Sequence, residues 1–353
     1  MILQPASLDE LSRLLAEANA RGEKISAFDL SALNRVLEHK AEDMTARVEA
    51  GVTLAALQAH LAARGQWLPL DPPNPERLSI GALLASNPSG PRRFGYGAIR
   101  DYVIGLTAVL PDGRVIHSGG NVVKNVAGYD LMKLFIGSRG SLGVIVEAIL
   151  KLRPLPEAEG FVEAKCPSLD VADTLIETVL NSELTPVVFD LHNLSPASDP
   201  SSLVLGFAGT REELQWQLSS AGELGVRDTS SLAYASQAQS DSFQESSVLP
   251  SKMIEVLRGF NGAPFIARAG NGIIYRGGSR AVPGSRQPQT RKDTQIGSTA
   301  SAHSDPLRAE DGSRSGPAER SIALTVPSLG VRKLDQRLKD EFDPKHILPD
   351  SPP

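Results

Sequence analysis

Two loops rich in glycine and other small residues are the parts of this sequence best suited to bind a ligand through the backbone. The first spans residues 79–90 and the second residues 137–145. Each lies beside an apolar segment, and small side chains let backbone N–H groups approach a phosphate or the polar edge of a ring. The mononucleotide pattern GxGxxG and the P-loop lysine pattern are absent from the sequence. A nucleotide would therefore lie across several loops rather than on one helix N-terminus.

Three arginines near the first loop could attract a carboxylate substrate. Arg92, Arg93 and Arg100 follow this loop closely, and the guanidinium fork matches the geometry of a carboxylate. Arg100 could equally form an internal ion pair with its neighbour Asp101. The sequence alone leaves these alternatives open.

The single cysteine and the six histidines argue against a metal site. Cys166 alone cannot form a disulfide, a four-cysteine zinc site or an iron–sulfur cluster within the chain. The histidines show neither HxxxH nor HxH spacing. His117 and His192 are candidate bases, but a lone histidine is more often a packed or surface residue. We therefore predict no metal and leave the catalytic residues unassigned.

Charge and hydropathy exclude several classes of protein. The net charge of −5 favours neither nucleic acid nor an anionic membrane surface as a partner. Residues 1–10 lack the basic and apolar regions of a leader peptide, and no apolar run reaches about 18 residues. The expected location is the cytoplasm, with membrane association only through partner subunits.

Hydrophobic periodicity and capping residues predict the elements that position the loops. Ser7 with Glu10 forms a capping box at the start of a helix that ends at Gly22. Further helices are predicted from Thr53 and over 80–86, 131–136, 168–181, 210–218 and 329–342. Strands are predicted over 24–30, 46–50, 102–110, 114–118, 143–152, 161–165, 187–191, 203–208, 264–269, 273–276 and 321–326.

The pattern of elements predicts an α+β fold with two domains. Residues 1–155 form the first domain, and residues 156–276 with 321–353 form a smaller second domain. Residues 229–247 are rich in Ser, Gln and Ala and are expected to be mobile. Residues 277–320 contain almost no large apolar side chain, so burial cannot offset the entropy of ordering them, and we predict a disordered insertion there.

Long strings around the two loops resemble a known family. They are DPP at 71–73, GPRRFGYGAIRDYVIGL at 90–106 and VVKNVAGYDLMKLFIGSRGSLGVI at 122–145. Residues 1–155 resemble the FAD-binding domain of the vanillyl-alcohol-oxidase/p-cresol-methylhydroxylase (PCMH) type. More narrowly, residues 66–154 are similar to the FAD-binding E-type subunit of bacterial glycolate oxidase. The resemblance implies a two-lobed PCMH-type FAD-binding domain followed by a partly disordered α+β cap domain.

The resemblance also implies which residues meet the cofactor. In relatives the first loop surrounds the pyrophosphate and flavin, and the second meets the adenine side. Asn125 could hydrogen-bond the flavin while Tyr129 stacks; alternatively, Asp130 caps a helix and Tyr129 packs. No histidine lies in a context typical of covalent flavin attachment, so the FAD would be non-covalent. The residues assigned to FAD are Ser79, Ile80, Gly81, Ala85, Asn87, Ser89, Gly90, Gly97, Asn125, Gly140, Ser141, Gly143, Val144 and Ile145.

One feature of the family is missing after Ile25. Relatives have a glycine-rich loop there that wraps the FAD pyrophosphate, whereas this chain passes directly into residues 26–34, as if about a dozen residues were removed. We therefore expect weakened or lost FAD binding. The C-terminal residues 338–349 resemble the family's terminal signature, except that Asp350 replaces its last glycine.

By resemblance, the chain is an FAD-dependent subunit that oxidises a 2-hydroxy acid such as glycolate. Hydride would pass from the substrate to the flavin. Electrons would then pass to an iron–sulfur subunit, and a homologous catalytic flavoprotein subunit would complete the complex. One alternative is a non-catalytic structural subunit that pairs with a catalytic homologue. Another is a decayed copy with neither role.

Overall fold

A computed structural model gives the fold of the chain. It describes residues 1–120, 131–195, 200–229, 232–239, 243–278 and 329–350. Asn125, Tyr129, Asp130 and the predicted strand at 321–326 lie outside these ranges, as does nearly all of the predicted insertion at 277–320.

Nine α-helices and sixteen strands occur in the described part of the chain. The helices are α1 (Leu8–Arg21), α2 (Leu54–Ala62), α3 (Ile80–Ser86), α4 (Arg93–Tyr96), α5 (Met132–Phe135), α6 (Leu169–Leu180), α7 (Arg211–Gly222), α8 (Met253–Arg258) and α9 (Leu329–Phe342). Short 3-10 helices cover Ile99–Asp101, Ala233–Gln239 and Pro250–Lys252. The strands are β1 (Ile2–Leu3), β2 (Ala27–Phe28), β3 (Val36–Lys40), β4 (Thr45–Glu49), β5 (Gln66–Trp67), β6 (Val103–Val109), β7 (Val115–Gly119), β8 (Val144–Lys151), β9 (Arg153–Pro154), β10 (Ala158–Cys166), β11 (Val188–Asn193), β12 (Ser201–Gly209), β13 (Arg227–Thr229), β14 (Phe243–Ser247), β15 (Phe265–Arg268) and β16 (Ile273–Gly277).

A five-stranded antiparallel sheet with its helices forms what we call the first lobe. Its strand order is β3-β4-β8-β6-β7. Helices α2, α3 and α5 bury their apolar side chains in one core with this sheet. Helix α1 packs in a second core with Val109, Val144 and Val146 of the sheet. The lobe is therefore built from apolar residues of both the helices and the sheet.

A seven-stranded sheet forms the second lobe. Successive side chains along its strands point to opposite faces, and the two faces are packed differently. Its order is β13-β10-β12-β11-β15-β16-β14, and all its pairs are antiparallel. One face packs on helices α6 and α8, with α7 contributing Ala221 and partly buried leucines. The other face carries a smaller apolar cluster with Val204, Tyr234, Ile266, Ile273 and Tyr275. Polar side chains of the candidate site alternate into this second face.

The described C-terminal segment packs on the first lobe, although the sequence analysis grouped it with the second domain. Ile347 and Leu348 are fully buried in the α1 core, and Leu338 and Phe342 pack on the other core of that lobe. The N–H of Ile25 donates to the carbonyl of Ile347 at 2.7 Å. The last residues of the described chain thereby complete the first lobe.

Local capping signals predicted several element ends well. Ser7 Oγ accepts the N–H of Glu10 at 3.1 Å, and Gly22 ends α1 with φ of 67°. The Glu10 carboxylate accepts the N–H of Ala6 at 2.8 Å, so it caps a residue just before the helix. The capping box of Thr210 and Glu213 at α7 and the hairpin of β15 with β16 are confirmed.

Other predicted elements were wrong in length or missing. The strand predicted over 24–30 is only β2, two residues long, because its neighbour β1 offers just two residues for parallel pairing. Residues 243–247, expected to be mobile, form β14, which pairs along its whole length with β16. Strand β3 was not predicted because its five residues are all half-buried and show no alternation. The α+β class itself is confirmed.

No described helix is both long enough and apolar enough to cross a membrane.

Candidate functional site

The two predicted loops lie against each other in the first lobe. Ser79 caps α3, its Oγ accepting the N–H of Ala82 at 3.2 Å. At the other end of α3, the carbonyl of Leu84 accepts the N–H of Gly137 at 2.9 Å, and that of Ala85 accepts the N–H of Arg139 at 2.9 Å. The C-terminal carbonyls of a helix lack intrahelical donors, and here the second loop supplies them. The C-terminal end of α3 and residues 137–139 are thus in direct contact.

The glycines of the first loop are required by packing within the chain. The N–H of Gly81 donates to Ala50 O at 2.7 Å, and a Cβ at Gly81 would lie 2.9 Å from the Ala50 Cβ. A Cβ at Gly90 would collide with the carboxylate and backbone of Asp71. Gly140 differs: its φ is +80° and a Cβ there would meet nothing within 4 Å among the described residues. Packing among the described residues therefore does not explain the glycine at position 140.

Asn87 carries a buried acceptor beside the second loop. It ends α3 with φ of 48°, and its Cβ lies 3.8 Å from where a Gly137 Cβ would be. Its Oδ1 is buried and has no hydrogen-bond partner among the described residues. Leaving a buried acceptor unpaired costs about 1–3 kcal/mol. The atom is therefore suited to accept a hydrogen bond from a ligand held beside this loop.

The remaining predicted residues occupy distinct places. Ile80 is fully buried in the first-lobe core, as are Val144 and Ile145 at the start of β8. Gly143 has no room for a side chain, because a Cβ would lie 3.0 Å from Val109 O. Gly97 ends α4 and faces Asp101 rather than the two loops. These residues support the loops structurally.

A cavity of about 830 Å³ lies between the first loop and the second lobe. This volume is within the range of small-molecule and cofactor sites. From the first lobe it is lined by Asp71, Pro73, Asn74, Pro88, Ser89, Gly90, Pro91 and Arg92. From the second lobe it is lined by Leu232, Ala235, Ser236, Phe243, Gln244, Glu245, Arg268 and Tyr275.

A buried ion pair lies at the second-lobe wall of this cavity. Arg268 is 2% exposed and Asp190 is 0% exposed; the Arg268 guanidinium donates to Asp190 Oδ2. Asp190 Oδ2 also accepts the hydroxyl of Tyr234 at 2.7 Å. Burial raises the pKa of the Asp190 carboxyl, and the charge of Arg268 opposes this. Asp190, which is itself held by Tyr234, thereby fixes the position of the Arg268 guanidinium in the cavity wall.

Part of this polar cluster remains without a partner in the described chain. Nε of Arg268 and Oδ1 of Asp190 are buried and lack hydrogen bonds to described residues. Arg268 also lies 5.5 Å from the ring centroid of Tyr275, whose hydroxyl donates to Ser89 O at 3.3 Å. Tyr275 thereby joins the second-lobe wall to the first loop. A buried, only partly satisfied guanidinium is suited to receive an anion.

Two of the three predicted arginines, Arg92 and Arg93, have partners within the protein. Arg92 bridges the lobes, with Asp71 Oδ2 at 3.1 Å and Glu159 Oε2 at 2.7 Å, so two carboxylates already engage its charge. Arg93 donates to Ser89 Oγ at 2.5 Å. The carboxylate of Asp101 accepts the N–H of Ala98 at 2.9 Å. The prediction that these arginines collect a substrate carboxylate gains no support from this geometry.

The predicted histidines lie outside the cavity wall. His192 stacks on Tyr234 with ring centroids 4.2 Å apart, and burial lowers its pKa to about 4. It is therefore neutral at pH 7. His117 is exposed and its Nδ1 lies 3.0 Å from Thr107 Oγ1. Neither lines the cavity.

The segment after Ile25 contains no phosphate-binding loop, as the sequence indicated. Residues 29–33 instead form a tight turn packed on Gly51, where a Cβ would collide with the carbonyls of Leu30 and Leu33. Several backbone donors here are already engaged: Ser26 to Met1 O, Asp29 to Leu3 O, Ser31 to Asp29 Oδ1 and Leu33 to Leu30 O. This turn therefore has few free backbone donors for a pyrophosphate, whereas in the two loops Asn87 Oδ1 has no partner among the described residues and could contact FAD.

Sequence reasoning missed Asp190, Arg268 and Tyr275. One signal was available: Arg268 ends the apolar run Phe-Ile-Ala of β15, and Asp190 interrupts the apolar β11. A charged residue inside an apolar strand is buried only when paired. Their pairing across β11 and β15 depends on register, which the sequence does not specify.

Part of this chain is similar to known proteins. Residues 26–119 match the family described as FAD binding domain. Glycolate oxidase subunit GlcD of Bacillus subtilis (strain 168) is 37% identical over 158 residues, which cover 45% of this chain and 34% of that protein. Glycolate oxidase subunit GlcE of Escherichia coli (strain K12) is 43% identical over 116 residues, 33% of each chain. The mitochondrial D-lactate dehydrogenase [cytochrome] of Arabidopsis thaliana is 39% identical over 155 residues, 44% of this chain and 27% of that protein.

A solved structure has a similar fold. An alkyldihydroxyacetonephosphate synthase matches with a TM-score of 0.67 and 17% identity, covering 99% of this chain and 76% of that one. The matched part of this chain corresponds to about a third of the length of its curated relatives GlcD and GlcE. Residues 26–119 are therefore similar to the FAD-binding domain of FAD-linked oxidoreductases.

Proposed function

We propose that this chain is the FAD-binding subunit of a complex that oxidises a small 2-hydroxy acid such as glycolate. The observation that carries the proposal is the cavity of about 830 Å³ between the first loop and the second lobe, with the buried Arg268 in its wall. Relatives named glycolate oxidase and D-lactate dehydrogenase add support.

Arg268 is the residue best placed to bind the substrate carboxylate. Its guanidinium is held by Asp190, and its Nε has no partner among the described residues. Arg92, the other arginine of the cavity wall, already contacts two carboxylates. A guanidinium in a water-poor site attracts an anion more strongly than one in bulk solvent. We therefore assign recognition of the acid to Arg268.

The other residues of the chain would hold the cofactor and shape the cavity. Asn87 Oδ1 offers an acceptor, and no described residue lies within 4 Å of where a Gly140 Cβ would be. Tyr275 and Ser89 close the contact between the lobes. When bound, FAD supplies the hydride acceptor for oxidation of the alcohol carbon. The group that takes the hydroxyl proton is not assigned.

The proposed complex includes further subunits. Two relatives carry the names of different glycolate oxidase subunits, which supports pairing with a homologous flavoprotein. The single cysteine, Cys166, is buried, so an iron–sulfur cluster for the onward electron transfer would lie in another subunit. We place the complex in the cytoplasm, at a membrane only through such partners.

A second candidate is a structural subunit that keeps the fold without catalysis. The turn at residues 29–33 favours it, because backbone donors that could bind a pyrophosphate are engaged internally. Such a subunit would bind FAD weakly or not at all.

Anaerobic flavin reduction distinguishes the two candidates. The chain is saturated with FAD, and glycolate or D-lactate is added while the absorbance of oxidised flavin is followed. Loss of this absorbance with a 2-hydroxy acid, and not with the matching acid that lacks the hydroxyl, supports the oxidase. Bound flavin that no 2-hydroxy acid reduces in this chain alone, while the complex with co-purified partner subunits is reduced, would support the structural subunit.

A further inference from the structure

The C-terminal segment reaches the second loop through one buried lysine. Lys339, in α9, is 6% exposed. Its Nζ donates to the carbonyl of Ser141 at 3.1 Å, 198 residues earlier in the chain. The same Nζ contacts Asp343 Oδ2 at 2.8 Å and the carbonyls of Leu348 and Pro349 at 3.0 and 3.2 Å. One ammonium group therefore joins the loop, the helix and the C-terminal tail.

Asp343 makes this arrangement rigid. It is 0% exposed, and its carboxylate accepts the N–H groups of Ile347 at 3.0 Å and Leu348 at 2.9 Å. The ion pair with Lys339 is thus satisfied on both sides, which is the condition under which a buried pair persists. The tail cannot move away from α9 without breaking several charge-assisted bonds.

The same helix also packs behind the loop. Phe342 meets Phe135 edge to face with ring centroids 5.8 Å apart. Phe135 lies two residues before the second loop, and its carbonyl accepts the N–H of Ser138 at 3.2 Å. Residues 137–141 of the second loop are therefore hydrogen-bonded at both ends. Gly137 bonds to α3, and Ser141 bonds to Lys339 of α9.

We propose that Lys339 is a positioning residue for the second loop, residues 137–145. By binding the Ser141 carbonyl it fixes the orientation of the peptide unit between Ser141 and Leu142, and so holds the neighbouring Gly140 backbone in its conformation with φ of +80°. The effect on FAD affinity rests on the proposed function; the effect on the loop does not. The C-terminal segment thereby fixes part of the proposed FAD site, which lies 198 residues earlier in the chain.

Hydrogen exchange of the apoprotein tests the effect on the loop. Lys339→Met removes the donor, and Lys339→Met/Asp343→Asn also removes the buried charge that the single variant would leave unpaired. Lys345→Met is the control, because Lys345 ties the same tail to Asn19 O at 2.8 Å from an exposed position. Amides of residues 137–141 should exchange on the order of ten- to a hundredfold faster in the double variant, the effect expected for loss of a hydrogen bond to a charged group.

Titration with FAD tests the effect on the site. The double variant should bind FAD on the order of tenfold more weakly than wild type, with no change for Lys345→Met. Unchanged exchange at 137–141, or an equal rise throughout β8, would overturn the proposal. Faster loop exchange with unchanged FAD affinity would overturn its cofactor part. If the wild type binds no FAD, the proposed function fails and the exchange result alone decides the role of Lys339.

Discussion

Insertion of a glycine-rich loop directly after Phe28 should strengthen FAD binding by about two to four orders of magnitude. The insertion point preserves β2 and its pairing with β1. In the present chain the N–H groups of Ser26, Asp29, Ser31 and Leu33 are engaged within the protein. The inserted loop would supply new backbone donors for the pyrophosphate.

The magnitude follows from the number of new bonds. A hydrogen bond to a charged group contributes about 1.5–3 kcal/mol, so two such bonds contribute about 3–6 kcal/mol. Since about 1.4 kcal/mol is tenfold in affinity, the gain is roughly a hundredfold to ten-thousandfold. The present turn is also a poor phosphate site because it carries the carboxylate of Asp29. Hydrogen bonds from Ser31 lower the pKa of this carboxyl, so it is negatively charged at pH 7 and repels a phosphate.

Calorimetric titration of FAD into the two apoproteins measures the difference. The unmodified chain should bind in the micromolar range or more weakly, on the order of 8 kcal/mol or less. A loop of equal length with alanine in place of each glycine is the matched control, because alanine disfavours positive φ. Nanomolar binding by the unmodified chain would refute the reasoning, as would an equal gain from the alanine loop.

Two further predictions concern stability. Burial lowers the pKa of His192 from 6.5 to about 4, so between these pH values the unfolded chain binds a proton that the folded chain does not, and the free energy of unfolding falls as the pH falls. When unfolding by denaturant is measured from pH 7 to pH 4, the free energy of unfolding of His192→Gln should therefore fall by up to about 3 kcal/mol less than that of wild type. His117→Gln is the control. A parallel loss in wild type and His192→Gln would contradict this. Gly90→Ala should lower the free energy of unfolding by about 1–3 kcal/mol or more, because the new Cβ collides with Asp71. At Gly140→Ala the new Cβ meets no described residue, so the loss should be about 1 kcal/mol from the backbone conformation alone. Equal losses would contradict the packing described for Gly90.

The sequence predicted best where the stabilising contacts are local. Ser7 and Gly22 bound α1, and Thr210 with Glu213 opens α7, through hydrogen bonds between residues three to five apart. The apolar run of Ile80 to Leu84 gave α3, and with it the first loop. The bounds of these elements can therefore be predicted from residues that are close together in the sequence.

The candidate site depends on contacts that are distant in sequence. Asp190 and Arg268 meet because β11 and β15 pair in one register, 78 residues apart. Lys339 reaches Ser141 because α9 packs on the core of the first lobe. Neither contact leaves a periodic pattern in the sequence. A charged residue within an apolar strand was the one available signal for the first pair.

Titration of oxalate into the FAD-saturated chain tests most directly whether the cavity is a combined flavin and carboxylate site. Oxalate resembles the oxidised product and cannot be turned over, so any change in the visible flavin bands reports binding next to the cofactor. We use Arg268→Gln/Asp190→Asn, which removes both charges of the buried pair, and Arg276→Gln as control, because Arg276 lies over Phe260 at 4.8 Å and does not line the cavity. The account predicts a saturable change in the flavin bands that is lost in the double variant and kept in the control. Flavin bands that oxalate leaves unchanged, or changes equally in the double variant, would contradict it.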